Sequence, residues 1–336
     1  MKDCSLIGLE TGTASALPDN KPRTSRTLAI LKRTGLFSEN TLGAEITQAT
    51  TFEELRDAYH LVHRVYAETG FISRDPSELR LRVFEATKEM ATFIARDKGR
   101  VVGVLSVIGD SKEFGLPSDG AFPEELEALR ADGNGLCEVT NQAIDEKYRK
   151  SALPTELMRC AMAHGIKKGY RKAIATVSPG HTAFYNLLNF FEIGPVRSYS
   201  KEIHDPVIAL CGDLDFYRKG PSGLDDAGEF VHSFMAGKSD GGNRFLELVE
   251  AWSASAEHFF ESACLMRQLF VDESGFLEQC TESEREILKS KWGEDVFNAV
   301  LPPSLTFAAS NWFDGLTEGI LGFNNSPSFS FATAGS

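Results

Sequence analysis

One acidic residue interrupts the apolar stretch LCEVTNQAI, residues 136–144. Burial in such a strand disfavours the charged form of Glu138 and raises its pKa toward neutrality, which suits general-base chemistry. The same position also fits a structural carboxylate with a buried partner. Downstream, residues 146–172 carry Lys147, Arg149, Lys150, Arg159, Lys167, Lys168, Arg171 and Lys172 against Glu146 and Glu156, a local excess of +6. Such a run either steers an acidic partner or is simply a solvated face. Ser178, His181 and Tyr185 stand at and after the end of the segment KAIATVS, and no Ser/His/Asp triad can be assembled from them. The six cysteines are scattered without a C-x-x-C pair or a histidine cluster, so reduced thiols and no metal are expected, and Cys137 reads as buried and inert.

These residues need elements to position them. Residues 1–43 read as a flexible N-terminal arm with one helical turn that docks on the body. A strand is expected at 44–50. Thr51 with Glu54 forms a capping-box pattern that opens an amphipathic helix ending at Gly70. Pro76 opens a second, shorter helical stretch through about 86. MATFIA and VVGVLSVI flank Asp97-Lys98-Gly99 as a hairpin. An insert with one helix, PEELEALR, precedes the strand holding Glu138. A long helix over 154–169, the strand KAIATVS, the helix HTAFYNLLNFF and strands near 195–203 and 206–212 follow. A hairpin is antiparallel and a strand–helix–strand unit parallel, so a mixed α/β sheet flanked by helices is predicted.

Charge divides the chain. The net charge is −13, and residues 215–336 contribute 8 Lys+Arg against 19 Asp+Glu. An acidic α-helical unit is expected over 215–301, with Phe245, Trp252, Phe259, Phe260 and Phe270 on an apolar stripe, and an irregular tail over 302–336. No basic excess points to nucleic acid, and no apolar run approaches the roughly 18 residues of a membrane span. A secretory signal is absent from residues 1–20, so a cytoplasmic location is expected. Oligomeric state is not legible.

Residues 44–214 resemble the GNAT acyltransferase fold. AYHLVHRVYAETGFI (58–72), PEELEALRADGNGLCEVTNQAID (123–145) and VSPGHTAFYNLLNFFEIGPVRSYS (177–200) are similar to bacterial long-chain N-acyl amino acid synthases, relatives of the acyl-homoserine lactone synthases. The resemblance implies an acyltransferase moving an acyl group to the amino group of a free amino acid. Its donor would be acyl carrier protein, bearing acyl-phosphopantetheine, or acyl-coenzyme A, with no permanently bound cofactor. A coenzyme A-dependent N-acetyltransferase and a non-catalytic module that binds acylated carrier are the alternatives.

On that resemblance Glu138 is the base and Tyr185 donates a proton to the leaving thiolate, unless it is a core aromatic. Arg64 and Tyr66 lie on the helix that closes over the acceptor, and Arg64 suits a carboxylate. His63 and Glu68 are equally ordinary helix residues. Ser178 and His181 border the substrate, unless His181 simply caps its helix or binds water. The homoserine lactone synthases carry a Glu-x-x-Arg arrangement here, and Asn141 stands in place of that arginine. The loop Tyr148 to Leu153 has no glycine, which departs from the coenzyme A cradle of many GNAT enzymes and favours a carrier donor. Arg149, Lys150, Ser151 and Thr155 would meet its phosphate. Leu105, Val107, Ile108, Phe114, Leu116 and Phe122 are candidates for an acyl tunnel or ordinary core.

Overall fold

Thr51 caps the first long helix of the body as its sequence requires. Its hydroxyl accepts from the Glu54 amide and the Glu54 carboxylate accepts from the Thr51 amide. Gly70, at φ 81°, ends that helix in the left-handed region that a glycine enters without strain. The computed structural model describes residues 25–199, 205–219, 223–239, 242–256, 259–302 and 305.

Eight strands form one sheet: β1 (Glu45–Gln48), β2 (Met90–Asp97), β3 (Arg100–Gly109), β4 (Leu136–Ile144), β5 (Lys172–Val177), β6 (Phe190–Glu192), β7 (Arg197–Ser198) and β8 (Pro206–Asp213). Their order is β1-β2-β3-β4-β5-β8-β6, with β7 also paired to β8. Only the β4–β5 pair is parallel. That pair is hydrogen-bonded from Leu136↔Lys172 to Val139↔Ala175 and no further, so the two strands splay apart beyond it. The result is the GNAT-like mixed sheet flanked by helices.

The helices are α1 (Ser25–Arg33), α2 (Phe52–Thr69), α3 (Pro123–Ala131), α4 (Leu153–Lys167), α5 (Thr182–Leu187), α6 (Leu214–Arg218), α7 (Asp226–Met235), α8 (Arg244–Ala256), α9 (Ala263–Arg267), α10 (Phe276–Gln279), α11 (Glu282–Trp292) and α12 (Glu294–Val300). On one face of the sheet, Phe93, Leu105, Val107 and Val139 pack with Leu153 and Leu157 of α4, Val231 of α7 and Val249 of α8. On the other, α2 lays Ala58, Tyr59 and Val62 over Ile94, Val104 and Ala143. Beside it the insert covers β4 and β5 with Leu116 and Leu126 against Ile108, Leu136 and Ile174.

Among the described residues, the helices after Leu214 therefore share the two cores of the sheet. Helices α7 and α8 complete the α4 face, whereas Phe270, Trp292 and Phe297 extend the α2 face. Trp292 fixes that extension by donating Nε1–H to the Ala86 carbonyl at 2.7 Å. Apolar complementarity decides this packing; the acidic charge follows the exposed sides. Residues 25–43 are also docked, with Leu31, Leu36 and Phe37 buried and Phe37 edge-on to Phe230 and Phe234 of α7.

Two local expectations fail. Residues 76–86 are turns and coil rather than a helix, because the Glu85 carboxylate bonds the Arg82 amide and Glu78 sits at φ 54°. The helix read over HTAFYNLLNFF stops at Leu187, and Asn189 at φ 58° turns the chain so that Phe190–Glu192 becomes β6. Phe190 then lies against Gly212 of β8, where an added Cβ would stand 2.7 Å from its ring. Gly212→Ala is expected to cost about 1–3 kcal/mol by overpacking, measured by urea unfolding.

Candidate active site

The splay between β4 and β5 opens beside Glu138. Its carboxylate is 2% exposed and receives two hydrogen bonds from Ser118, which sits in the short helical turn Pro117–Gly120 of the insert. The Ser118 amide donates to Oε2 at 2.9 Å and the Ser118 hydroxyl to Oε1 at 2.7 Å. The Ser118 oxygen in turn pairs with the Thr176 hydroxyl of β5. Burial raises the Glu138 pKa to about 7, and the Ser118 donors oppose it only in part. A carboxylate so placed is divided between its two protonation states near neutral pH.

A second polar group lies along the same strand. Asn141 is buried at φ 54° in a β-bulge of β4, where the register against β3 shifts between Val104 and Ser106. A bulge leaves its extra residue outside the ladder. The Asn141 amide donates to Glu85 Oε1 at 2.9 Å, and its carbonyl oxygen accepts from Arg82 Nη2 at 3.3 Å. Arg82 and Glu85 pair at 2.6 Å from the turns that replace the expected helix. Burial alone would neutralise both, but their mutual attraction and hydrogen bonds win, lowering the Glu85 pKa and raising that of Arg82. Tyr199 completes the surroundings: burial and the nearby Glu138 charge hold its phenol protonated, and it also feels Arg82.

The expected site residues are thus only partly brought together. Glu138 and Asn141 share this pocket of polar groups. Tyr66 borders it, with Arg80 stacked 5.9 Å over its ring. Tyr185 packs with Phe184 and Phe190 in the core of the α4 face and donates to Gln142 Oε1 at 3.1 Å, joining the helix after β5 to β4. Ser178 presents a buried hydroxyl with no hydrogen-bond partner among the described residues, and burial lowers the pKa of His181 in the next turn. Arg64 faces elsewhere. Its guanidinium holds Asp145 at 2.5 Å, together with Arg100 at the start of β3, at the far end of β4. His63 is buried and accepts from the Asp75 amide.

The four residues chosen for the donor do not form an open cradle. Ser151 and Thr155 are buried and their hydroxyls donate to backbone carbonyls, Thr155 to those of Ala152 and Leu36. At the start of α4 the Ala152 amide donates to Asn40 at 3.0 Å and the Leu153 amide to Ser151 Oγ at 3.1 Å. Pro154 has no amide hydrogen to offer. Arg149 donates to the Ile144 carbonyl, and Lys150 is exposed. The basic run is also dispersed: Arg159 pairs with Glu156, Lys167 with Glu250 of α8, Arg171 with Asp215 and Lys172 with Asp213. The six tunnel candidates lie in four apolar clusters on both faces of the sheet.

Sequence reasoning missed Ser118, Thr176, Arg82, Glu85 and Tyr199. Arg82 and Glu85 had a legible signal, since two opposite charges three residues apart flank Val83 and Phe84 in an otherwise polar turn region. Ser118 and Tyr199 had none, because only the tertiary fold carries them to Glu138.

Residues 57–213 match the family model described as the N-acyl amino acid synthase FeeM, a little under half of the chain ending where α6 begins. Among solved structures, FeeM from uncultured soil microbes is 24% identical, with 51% of this chain and 92% of that chain covered at a TM-score of 0.46. The acyl-homoserine lactone synthase LasI is 17% identical, over 51% of this chain and 89% of that chain, at 0.41. BjaI, a coenzyme A-dependent acyl-homoserine lactone synthase solved with SAM and isopentyl-CoA, is 15% identical, over 62% and 99%, at 0.40. No curated protein sequence matches.

Proposed function

We propose that this acyltransferase, with residues 57–213 matching the FeeM family, moves a long-chain acyl group from acyl carrier protein to the amino group of an amino acid. The observation that carries the reading is Glu138, a buried carboxylate poised at about 7 beside the opening between β4 and β5. The acceptor ammonium gives a proton to Glu138. The freed amine attacks the thioester carbonyl, forming a C–N bond, and the C–S bond breaks. The amide that the β4 bulge frees from its ladder is a donor for the developing oxyanion. Tyr185, whose phenol burial keeps protonated, gives a proton to the departing thiolate, and the second proton shed by the nitrogen as the amide forms restores the phenol.

Carrier protein is favoured as donor by the start of α4. A coenzyme A pyrophosphate is held well by free amides at a helix N-terminus. Here Asn40 and Ser151 already take two of them, and Pro154 removes a third. Cytoplasmic location fits free cysteines at 137, 160, 211, 264 and 280. No helix among the described residues is long and apolar enough to cross a membrane.

The test is mass spectrometry of lipid extracts from bacteria expressing the wild type beside Glu138→Gln. New N-acyl amino acids in the wild type alone are expected. An unchanged profile with good soluble expression would overturn the reading. Purified enzyme should use dodecanoyl carrier protein at least tenfold better than dodecanoyl-coenzyme A, and turnover of acetyl-coenzyme A alone would favour an N-acetyltransferase.

A further inference from the structure

Arg82 is held by one edge of its guanidinium. Nε and Nη2 serve Glu85, at 3.3 and 2.6 Å, and Nη2 also approaches Thr140 Oγ1 and Asn141 Oδ1. Nη1 has no hydrogen-bond partner among the described residues, and the side chain keeps 16% exposure while Glu85 keeps none. A guanidinium fixed on one edge by Glu85, with Nη1 unpartnered among the described residues, is suited to hold an anion.

Its position relative to Glu138 gives that site a meaning. Arg82 lies against Thr140, and Glu138 and Thr140 are two residues apart on one face of β4, about 7 Å along the strand. An α-amino acid carries its ammonium and carboxylate on a single carbon, so it spans such a gap with one group at each end. The charges then alternate: Glu85, Arg82, acceptor carboxylate, acceptor ammonium, Glu138.

We propose that the Nη1 edge of Arg82 binds the acceptor's carboxylate and so restricts the enzyme to amino acids over simple amines. The proposal rests on the amine-acylation reading above. The same geometry denies the role to Arg64, and Arg64→Ala is expected to change the acceptor KM less than twofold in steady-state assays.

The experiment supplies dodecanoyl carrier protein with leucine, phenylalanine and tyrosine, each against its decarboxylated amine, isoamylamine, phenethylamine and tyramine. For the preferred pair the wild type should favour the acid by about 10–100-fold in kcat/KM, the range of one hydrogen-bonded charge pair. In Arg82→Gln/Glu85→Gln, an amide pair that leaves no lone buried charge, that ratio should collapse toward one. A wild type that uses amine as well as acid overturns the proposal, as does a variant in which both rates fall with the ratio intact. Absence of product with every acceptor overturns the amine-acylation reading itself, and the two failures are distinct.

Discussion

Glu138→Gln lowers acyl transfer by about 10²- to 10⁴-fold, the range supplied by a positioned general base, while the protein itself becomes more stable at alkaline pH. Both effects come from one cause. Burial raises the folded-state pKa of Glu138 from its ordinary 4.5 to about 7. The folded protein therefore holds this proton more tightly than the unfolded chain does. The associated stability is fully present below pH 4.5 and is lost as pH rises through about 7. At pH 8 the wild type carries a penalty on the order of 3 kcal/mol that the amide lacks. A calorimetric series should show the two melting temperatures diverging between pH 5 and 8, the variant staying higher. In the wild type kcat/KM should rise with pH and level off above about 7, since the proposed base acts unprotonated. Equal melting temperatures across that range would mean the carboxylate is not held as described.

Glu85→Ala carries the second large effect, on stability first. The change removes one partner of a pair whose carboxylate is fully buried and leaves Arg82 without its anchor and Asn141 without its acceptor. Breaking such a pair costs about 3–5 kcal/mol, a large share of the stability of an ordinary domain. Glu85→Gln keeps one acceptor for Asn141 and should cost less. The pH dependence has the opposite sign to that of Glu138. Burial pushes the Glu85 pKa up, but Arg82 outweighs it and lowers the folded value. The stabilisation is present above the ordinary carboxylate pKa and is lost as pH falls through the lowered one. Urea unfolding at pH 7 and pH 3 measures both, and the gap between wild type and Glu85→Ala should narrow in acid.

Much of this was legible in residue order. Thr51 with Glu54, Gly70, and the turn at Asp97 to Gly99 each specify a local event whose cause lies within four residues, so the helix and hairpin they bound appear where expected. Thr281 and Glu284 cap α11 by the same local pattern. Glu138 stood out because one charge among apolar neighbours is unusual at any position. What failed was non-local. Residues 76–86 carry a helical pattern, yet the pairing of Arg82 with Glu85 beneath Asn141 outweighs one turn of helix. Phe190 and Phe191 read as a helix end until β8 offers an edge to pair with. The acidic charge beyond residue 215 suggested a separate unit, whereas Val249, Phe270 and Trp292 insert into the cores of the sheet. Charge describes an exterior and does not reveal which interior a helix completes.

That both faces of the sheet are finished by the helices after Leu214 bears on how the chain is made. When Asp213 has been synthesised, every strand of the sheet exists, but the apolar surfaces awaiting α7, α8 and α9 to α12 are still bare. At roughly 5–20 residues per second, translation to Leu301 takes on the order of ten seconds more. During that interval the nascent enzyme presents two greasy faces to the cell. It is a natural client for chaperones, and a premature stop codon between β8 and α12 should yield aggregate instead of a minimal enzyme.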